Sequence, residues 1–170
     1  MIFRRKRLPA PTGRSSDALR GVAPSAPPGT PPKKILLVDD DPVVLRAMSL
    51  KLQSRGYQVI TSSDGPQALA IKRREKPDLM LLDVNLPADV SGVHWNGFSL
   101  MQWLKRLNAE SSTPVFVISG SDRSEYKDRA SAVGATAFFR KAVDDNALFA
   151  AIDQSLSADR VGTQLAAAQS

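Results

Sequence analysis

The sequence predicts an α/β protein: a five-stranded parallel, doubly wound sheet with helices on both faces. Two observations carry this reading. The apolar runs Ile35-Leu36-Leu37-Val38, Leu79-Met80-Leu81-Leu82 and Val115-Phe116-Val117-Ile118 are continuous and too short for helices, as in strands covered on both sides. Segments of helical spacing separate them, and the order βαβαβαβαβα implies parallel pairing through crossover helices.

The elements follow in turn. Lys33-Lys34 opens the first strand, and Asp39-Asp40-Asp41 ends it. Pro42 suits the first turn of the next helix, where its missing N–H would have had no partner. Val44, Leu45, Met48 and Leu52 share one face of that helix, and Gly56 is placed to cap its end. Residues 57–61 read as a second, short strand. Residues 65–74 read as a helix with Ala68 and Ile71 inward, stopped by Pro77.

The third strand, 78–83, ends in Asp83, and a long loop, 84–96, leads into a helix with Phe98, Met101, Leu104 and Leu107 on one side. Pro114 opens the fourth strand, which closes on Ser119-Gly120. Asp122, with Glu125 three residues on, is a capping pair for the next helix, which Gly134 ends. Residues 136–140 form the last strand, Lys141 follows, and Leu148, Phe149, Ile152 and Leu156 stripe the final helix.

Composition bounds the function. The absence of cysteine excludes disulfides, thiolate metal sites and cysteine nucleophiles, and fits a reducing compartment. No apolar run approaches the roughly 18 residues of a membrane span, so a cytoplasmic location is expected. The net charge of +6 is uneven, because residues 1–32 hold six of the basic residues and only one acid. The remainder is nearly neutral, which argues against a nucleic-acid-binding core.

Residues 1–32, basic and rich in proline, read as a disordered tail, 33–157 as the folded domain, and 158–170 as a disordered C-terminal tail. The basic cluster 4–7 offers contact to nucleic acid or an anionic membrane, although a solubilising tail accounts for it better. Only this short tail follows the last helix, so action by binding a partner is expected rather than through an output domain.

Like charges packed together are unfavourable unless a cation or water offsets them. Three successive carboxylates therefore belong at an exposed carboxyl strand end, where open α/β sheets build their sites. Oxygen donors suit a hard divalent cation. The other strand ends add Asp83, Ser119 and Lys141 to Asp39 and Asp40. Alone, each has a bland reading as a helix cap, a turn residue or a solvated amine. Three acids, a hydroxyl and an amine in this order make a specific set.

From about residue 33 to 157 the chain resembles a response-regulator receiver domain of two-component signalling, of the stand-alone chemotaxis-regulator-like type. The resemblance rests on Val38-Asp39-Asp40-Asp41, Asp78-Leu79-Met80-Leu81-Leu82-Asp83-Val84-Asn85-Leu86-Pro87, Ile118-Ser119-Gly120, and Gly134-Ala135 with Phe138 and Lys141. It implies a flavodoxin-like sheet of strand order 2-1-3-4-5. Asp83 would be the phosphoacceptor, with Mg²⁺ held by Asp39, Asp40, Asp83 and the backbone carbonyl of Asn85. Ser119 would hydrogen-bond the phosphoryl group, Lys141 would pair with it, and the Phe138 rotamer would report the state. The implied phosphodonor is a histidine kinase or histidine phosphotransfer protein. The implied target is a downstream protein that meets the last strand and the helices flanking it. Such a protein is a phosphorylated switch rather than an enzyme with turnover.

The chemistry agrees. A carboxylate is a poor nucleophile toward an anionic phosphoryl group, and Mg²⁺ together with Lys141 would offset the repulsion.

Two departures from the family pattern stand out. Ala142 occupies the place where receivers usually carry proline after a cis peptide. A cis bond without proline costs about 2.5–4 kcal/mol, so a trans Lys141–Ala142 bond is expected. The loop between Pro87 and Asn96-Gly97, with His94 and Trp95, is several residues longer than usual, and reads as a lid, a docking surface or a tolerated insertion.

Two other functions compete. A haloacid-dehalogenase-type, Mg²⁺-dependent phosphatase would use Asp39-x-Asp41 with Ser119 and Lys141, but leaves Asp83 unexplained. A receiver fold that binds its partner regardless of phosphate would leave the acids and the lysine without a task.

Overall fold

A computed structural model describes residues 31–86, 96–107, 113–120, 124–141 and 145–167. Among them, strands β1 (Lys34–Val38), β2 (Gln58–Ser62), β3 (Leu79–Asp83), β4 (Val115–Ser119) and β5 (Ala137–Arg140) alternate with helices α1 (Pro42–Ser54), α2 (Gly65–Glu75), α3 (Gly97–Leu107), α4 (Ser124–Val133) and α5 (Asp145–Ala167). The strands form one parallel sheet in the order β2-β1-β3-β4-β5. Class, element order and sheet order are those expected.

Most boundaries fall within a residue or two of the sequence reading. α5 differs. Its apolar stripe ends at Leu156, but the helix runs on to Ala167, so the tail expected from residue 158 is helical over most of its length. The added stretch has no proline and ends in alanines, which favour helix without an apolar face, and its single Gly162 costs only about 1 kcal/mol. Residues 1–30, the loop 87–95 with His94 and Trp95, Asp122, and Ala142 with its peptide bond to Lys141 lie outside the described residues.

Alternation along the strands divides the core. Ile35, Leu37, Leu79, Leu81, Phe116 and Ile118 face Leu52 of α1 and Leu148, Phe149, Ile152 and Leu156 of α5. Leu36, Val38, Met80, Leu82, Val115 and Val117 face α2, α3 and α4 through Ala68, Ile71, Phe98, Leu100, Met101, Leu104 and Ala130. Both faces are covered, which is why the strand sequences are continuously apolar. Each fully buried aliphatic side chain contributes roughly 1.5–3 kcal/mol.

The same period of two sets what comes next at the strand ends. Asp39 continues the parity of Ile35 and Leu37, and Asp83 that of Leu79 and Leu81. Both therefore fall on the α1/α5 face. Lys141 falls there too, after Ala137 and Phe139.

At its other end β3 is tied to β1 by Asp78. The Asp78 carboxylate accepts from the Lys33 ammonium at 2.8 Å and from the Lys34 N–H at 2.7 Å. Beyond Asp83 the chain turns closely under α3, and the Gly97 N–H donates to the Val84 carbonyl at 2.9 Å. A Cβ on Gly97 would lie 2.3 Å from the Asp83 carbonyl oxygen and 2.8 Å from the Val84 Cα. Only glycine lets the helix start this near the strand end.

Gly97→Ala is expected to lower stability by at least about 1–3 kcal/mol, the usual cost of overpacking. At Gly120 an added Cβ meets only the Lys141 Cδ, at 3.7 Å, so Gly120→Ala should lie within about 0.5 kcal/mol of wild type. Urea denaturation of the two variants checks both.

Candidate functional site

The sheet order reverses between β1 and β3, and the crevice at that switch is where an open α/β sheet binds its ligands. Val38 pairs with Leu82, so the next residues, Asp39 and Asp83, stand level on adjacent strands. Asp40 follows at the turn into α1. One carboxylate oxygen from each of Asp39, Asp40 and Asp83 lies within 4.8 Å of the other two. Asp39 and Asp83 are almost wholly buried, and Asp40 is exposed.

Two buried carboxylates this close repel, and Lys141 answers them. Its ammonium lies 2.7 Å from Asp39 Oδ2 and 2.7 Å from Asp83 Oδ2. Burial alone would lower the Lys141 pKa, but its bonds to Asp39 and Asp83 and their negative charge hold it above the ordinary lysine value. Burial raises the Asp39 pKa, and the nearby charge of Asp83 adds to that rise. The bonds from Lys141 and the Asp41 N–H offset only part of it.

The other oxygens of the buried pair are held by backbone. The Asp41 N–H donates to Asp39 Oδ1 at 3.0 Å, and the Asn85 N–H donates to Asp83 Oδ1 at 3.2 Å. Ser119 ends β4, fully buried, and its carbonyl accepts the Lys141 N–H at 2.8 Å. That bond places the lysine over the acids. Val117, two residues before Ser119, packs on the α2/α3/α4 face, so Ser119 borders the acids from the opposite side of the sheet to Lys141.

The third carboxylate of the sequence cluster is elsewhere. Asp41 caps α1, accepting from the Val43 N–H at 2.8 Å and the Val44 N–H at 3.4 Å. The phosphatase alternative required Asp41 as the partner acid of Asp39, and the capping role leaves it without one.

Two openings flank the acids. On the α1/α5 side, a cavity of about 180 Å³ is lined by Val44, Met48, Ile118, Lys141 and the exposed Lys51–Asp145 ion pair. On the α3/α4 side, a pocket of about 360 Å³ includes Asp40, Asn85 and Arg129. Sequence reasoning passed over Arg129. It stands in no motif, and only the packing of α4 against α3 brings it to the site's edge.

All-oxygen donors of net negative charge fit a hard divalent cation better than a soft one. Asp39, Asp40 and Asp83 satisfy that test, and Asp39 and Asp83 already hold a cationic group, the Lys141 ammonium.

Comparison with known proteins agrees with this geometry. Residues 35–153 match the family described as response regulator receiver domain. Protein PilH of Pseudomonas aeruginosa is 30% identical over 124 residues, 73% of this chain and 98% of that protein. The transcriptional regulatory protein GlrR of Escherichia coli is 32% identical over 125 residues, which is 74% of this chain but only 26% of GlrR. The chain thus spans about a quarter of that regulator's length. Among solved structures, the chemotaxis response regulator CheY4 of Vibrio cholerae aligns with a TM-score of 0.63 at 28% identity, covering 73% of this chain and 98% of that one. The BeF3-activated receiver domain of Klebsiella pneumoniae RstA aligns with a TM-score of 0.65 at 26% identity, over 73% and 98% of the two chains.

The raised Lys141 pKa has a definite sign. Its stabilising contribution is complete below the ordinary lysine value of 10.5 and is lost as pH rises through the higher folded value. The urea midpoint of the wild type should therefore fall on that alkaline limb relative to Lys141→Met, and parallel curves would contradict the ion pairs. Asp41→Ala should cost about 1 kcal/mol, as loss of a helix cap does, read from the same titrations at neutral pH.

Proposed function

The chain belongs to the response regulator receiver family, and we propose that its phosphoacceptor is Asp83, with the β1–β3 switch point as its phosphorylation site. As a receiver domain it is a phosphoacceptor of two-component signalling, a phosphorylated switch. The observation that carries the assignment is the cluster of Asp39, Asp40 and Asp83, with Lys141 bridging Asp39 and Asp83.

In this reading Asp39, Asp40 and Asp83, with the backbone carbonyl of Asn85, would hold Mg²⁺. The bound cation would supply positive charge that offsets the repulsion between a carboxylate and an incoming phosphoryl group. Asp83 provides the attacking oxygen, and the Asn85 N–H orients its carboxylate. Lys141 keeps a fixed positive charge at the reacting end. Once Asp83 carries the phosphoryl group as an acyl phosphate, that ammonium is free to pair with phosphoryl oxygens. Ser119, at the neighbouring strand end, would donate its hydroxyl to the same group.

The donor would be a phosphohistidine on a histidine kinase or a histidine phosphotransfer protein. In the transfer the phosphorus–nitrogen bond breaks and an oxygen–phosphorus bond forms at Asp83. The electron pair stays on the imidazole, which takes up a proton. Movement of Ser119 and Lys141 toward the phosphoryl group then acts on β5, where half-buried Phe138 packs on the core. The surface of β5 with α4 and α5 is the proposed meeting point for a downstream protein. Among the described residues no helix is long and apolar enough to cross a membrane, and we assign the chain to the cytoplasm.

Incubation with Mg²⁺ and a small phosphodonor should add one phosphoryl group per chain, read by intact-mass measurement. Excess chelator should abolish the addition, and Asp83→Asn should not label. Labelling of Asp83→Asn to the wild-type extent, or turnover of phosphate esters without a labelled intermediate, would overturn the assignment.

A further inference from the structure

The α3/α4-side pocket has a lining the proposed transfer does not use. Its inner edge belongs to the site, because Asp40 is one of the clustered acids and the Asn85 N–H holds Asp83 Oδ1. Its outer wall carries Arg129, the one cationic side chain among the lining residues. The Arg129 guanidinium stacks on the Phe98 ring, 4.4 Å from the centroid. Phe98 is itself buried and meets Tyr126 edge-on at 5.5 Å. The stacking restricts where the charge can sit. Among the described residues no carboxylate forms an ion pair with Arg129, and its planar fork of donors matches the oxygens of an anion.

The other flank of Asp83 differs. There Lys141 covers Oδ2, and the adjoining cavity is largely apolar, with Leu37, Val44, Met48 and Ile118 in its wall. A small, charged phosphodonor is better matched by the wider polar pocket of about 360 Å³.

Resting on Asp83 as phosphoacceptor, we propose that Arg129 determines specificity among small phosphodonors by binding the carboxylate leaving group of acyl phosphates. In that reaction an Asp83 oxygen forms the new bond to phosphorus while the bond from phosphorus to the acyl oxygen breaks. The electron pair departs on the carboxylate, which leaves as an anion needing no proton. Arg129 stabilises the charge that grows on that oxygen. A phosphoramidate donor, protonated on nitrogen, loses neutral ammonia instead and offers Arg129 no departing anion.

The test compares acetyl phosphate with phosphoramidate as donors, both with Mg²⁺, by the rate of the mass increase on the full chain. Arg129→Gln keeps an aliphatic stem on Phe98 and removes the charge. It should lower the acetyl phosphate kcat/KM roughly three- to fivefold, the upper part of the range expected of one exposed charged contact. Phosphoramidate labelling should stay within about twofold, Arg129→Lys should recover part of the loss, and high salt should narrow the difference between donors. Equal losses with both donors would mean that Arg129 only supports packing and would overturn the proposal, as would an unchanged acetyl phosphate rate. If wild type labels with neither donor, the assignment of Asp83 fails and this proposal with it. If wild type labels but Arg129→Gln leaves the donor ratio unchanged, only this proposal fails.

Discussion

Two carboxylates are buried side by side at the end of a parallel sheet, and one ammonium lies 2.7 Å from each of them. Burial raises the Asp39 pKa, and the ammonium bonded to its carboxylate offsets part of that rise. The bridge sets one positive charge between the two acids at the strand ends. It also covers Asp83, whose side chain is only 1% exposed. Lys141 directly follows β5 and bonds Asp83 Oδ2, so a loosening of that contact is felt first at β5.

The surrounding structure determines where that loosening is felt. α5 is fastened to the α1 side at three points one turn apart. Asp145 pairs with Lys51, Phe149 lies under the Arg55 guanidinium at 4.1 Å, and Asp153 accepts from the Tyr57 hydroxyl. The Lys51–Asp145 pair is exposed and adds little stability by itself, but together the three fix the direction of the helix. On the other side, β5 contacts α4 through half-buried side chains such as Phe138 and Val133. A change at Lys141 thus meets an anchored seam toward α1 and a less tightly packed one toward α4.

Much of this was legible in the chain. Continuous apolar runs gave the strands and their burial on both faces, and the groups that end or follow those strands, Asp39, Asp83 and Lys141 among them, were legible as one set. Turn chemistry located Pro42, Gly56 and Gly134 correctly, because each of those positions is set by local backbone demands. What could not be read depends on packing between distant segments. The sequence does not distinguish Asp41 from its two neighbours, and only the start of α1 shows that it caps. Gly97 looks like any turn glycine until β3 comes within contact of it. Arg129 reads as a solvated helix residue until Phe98, on another helix, supplies the face it rests on. The end of α5 was misplaced because amphipathic spacing marks where a helix packs, not where it stops.

The most direct test of the account is to trap the phosphorylated chain with borohydride, which reduces an aspartyl phosphate to homoserine, and to map the modified residue by peptide mass spectrometry. The account requires homoserine at position 83 and at no other acid, in a reaction that depends on Mg²⁺. Conversion at Asp39 or Asp40, or a phosphoryl group recovered on a residue outside this cluster, would contradict it.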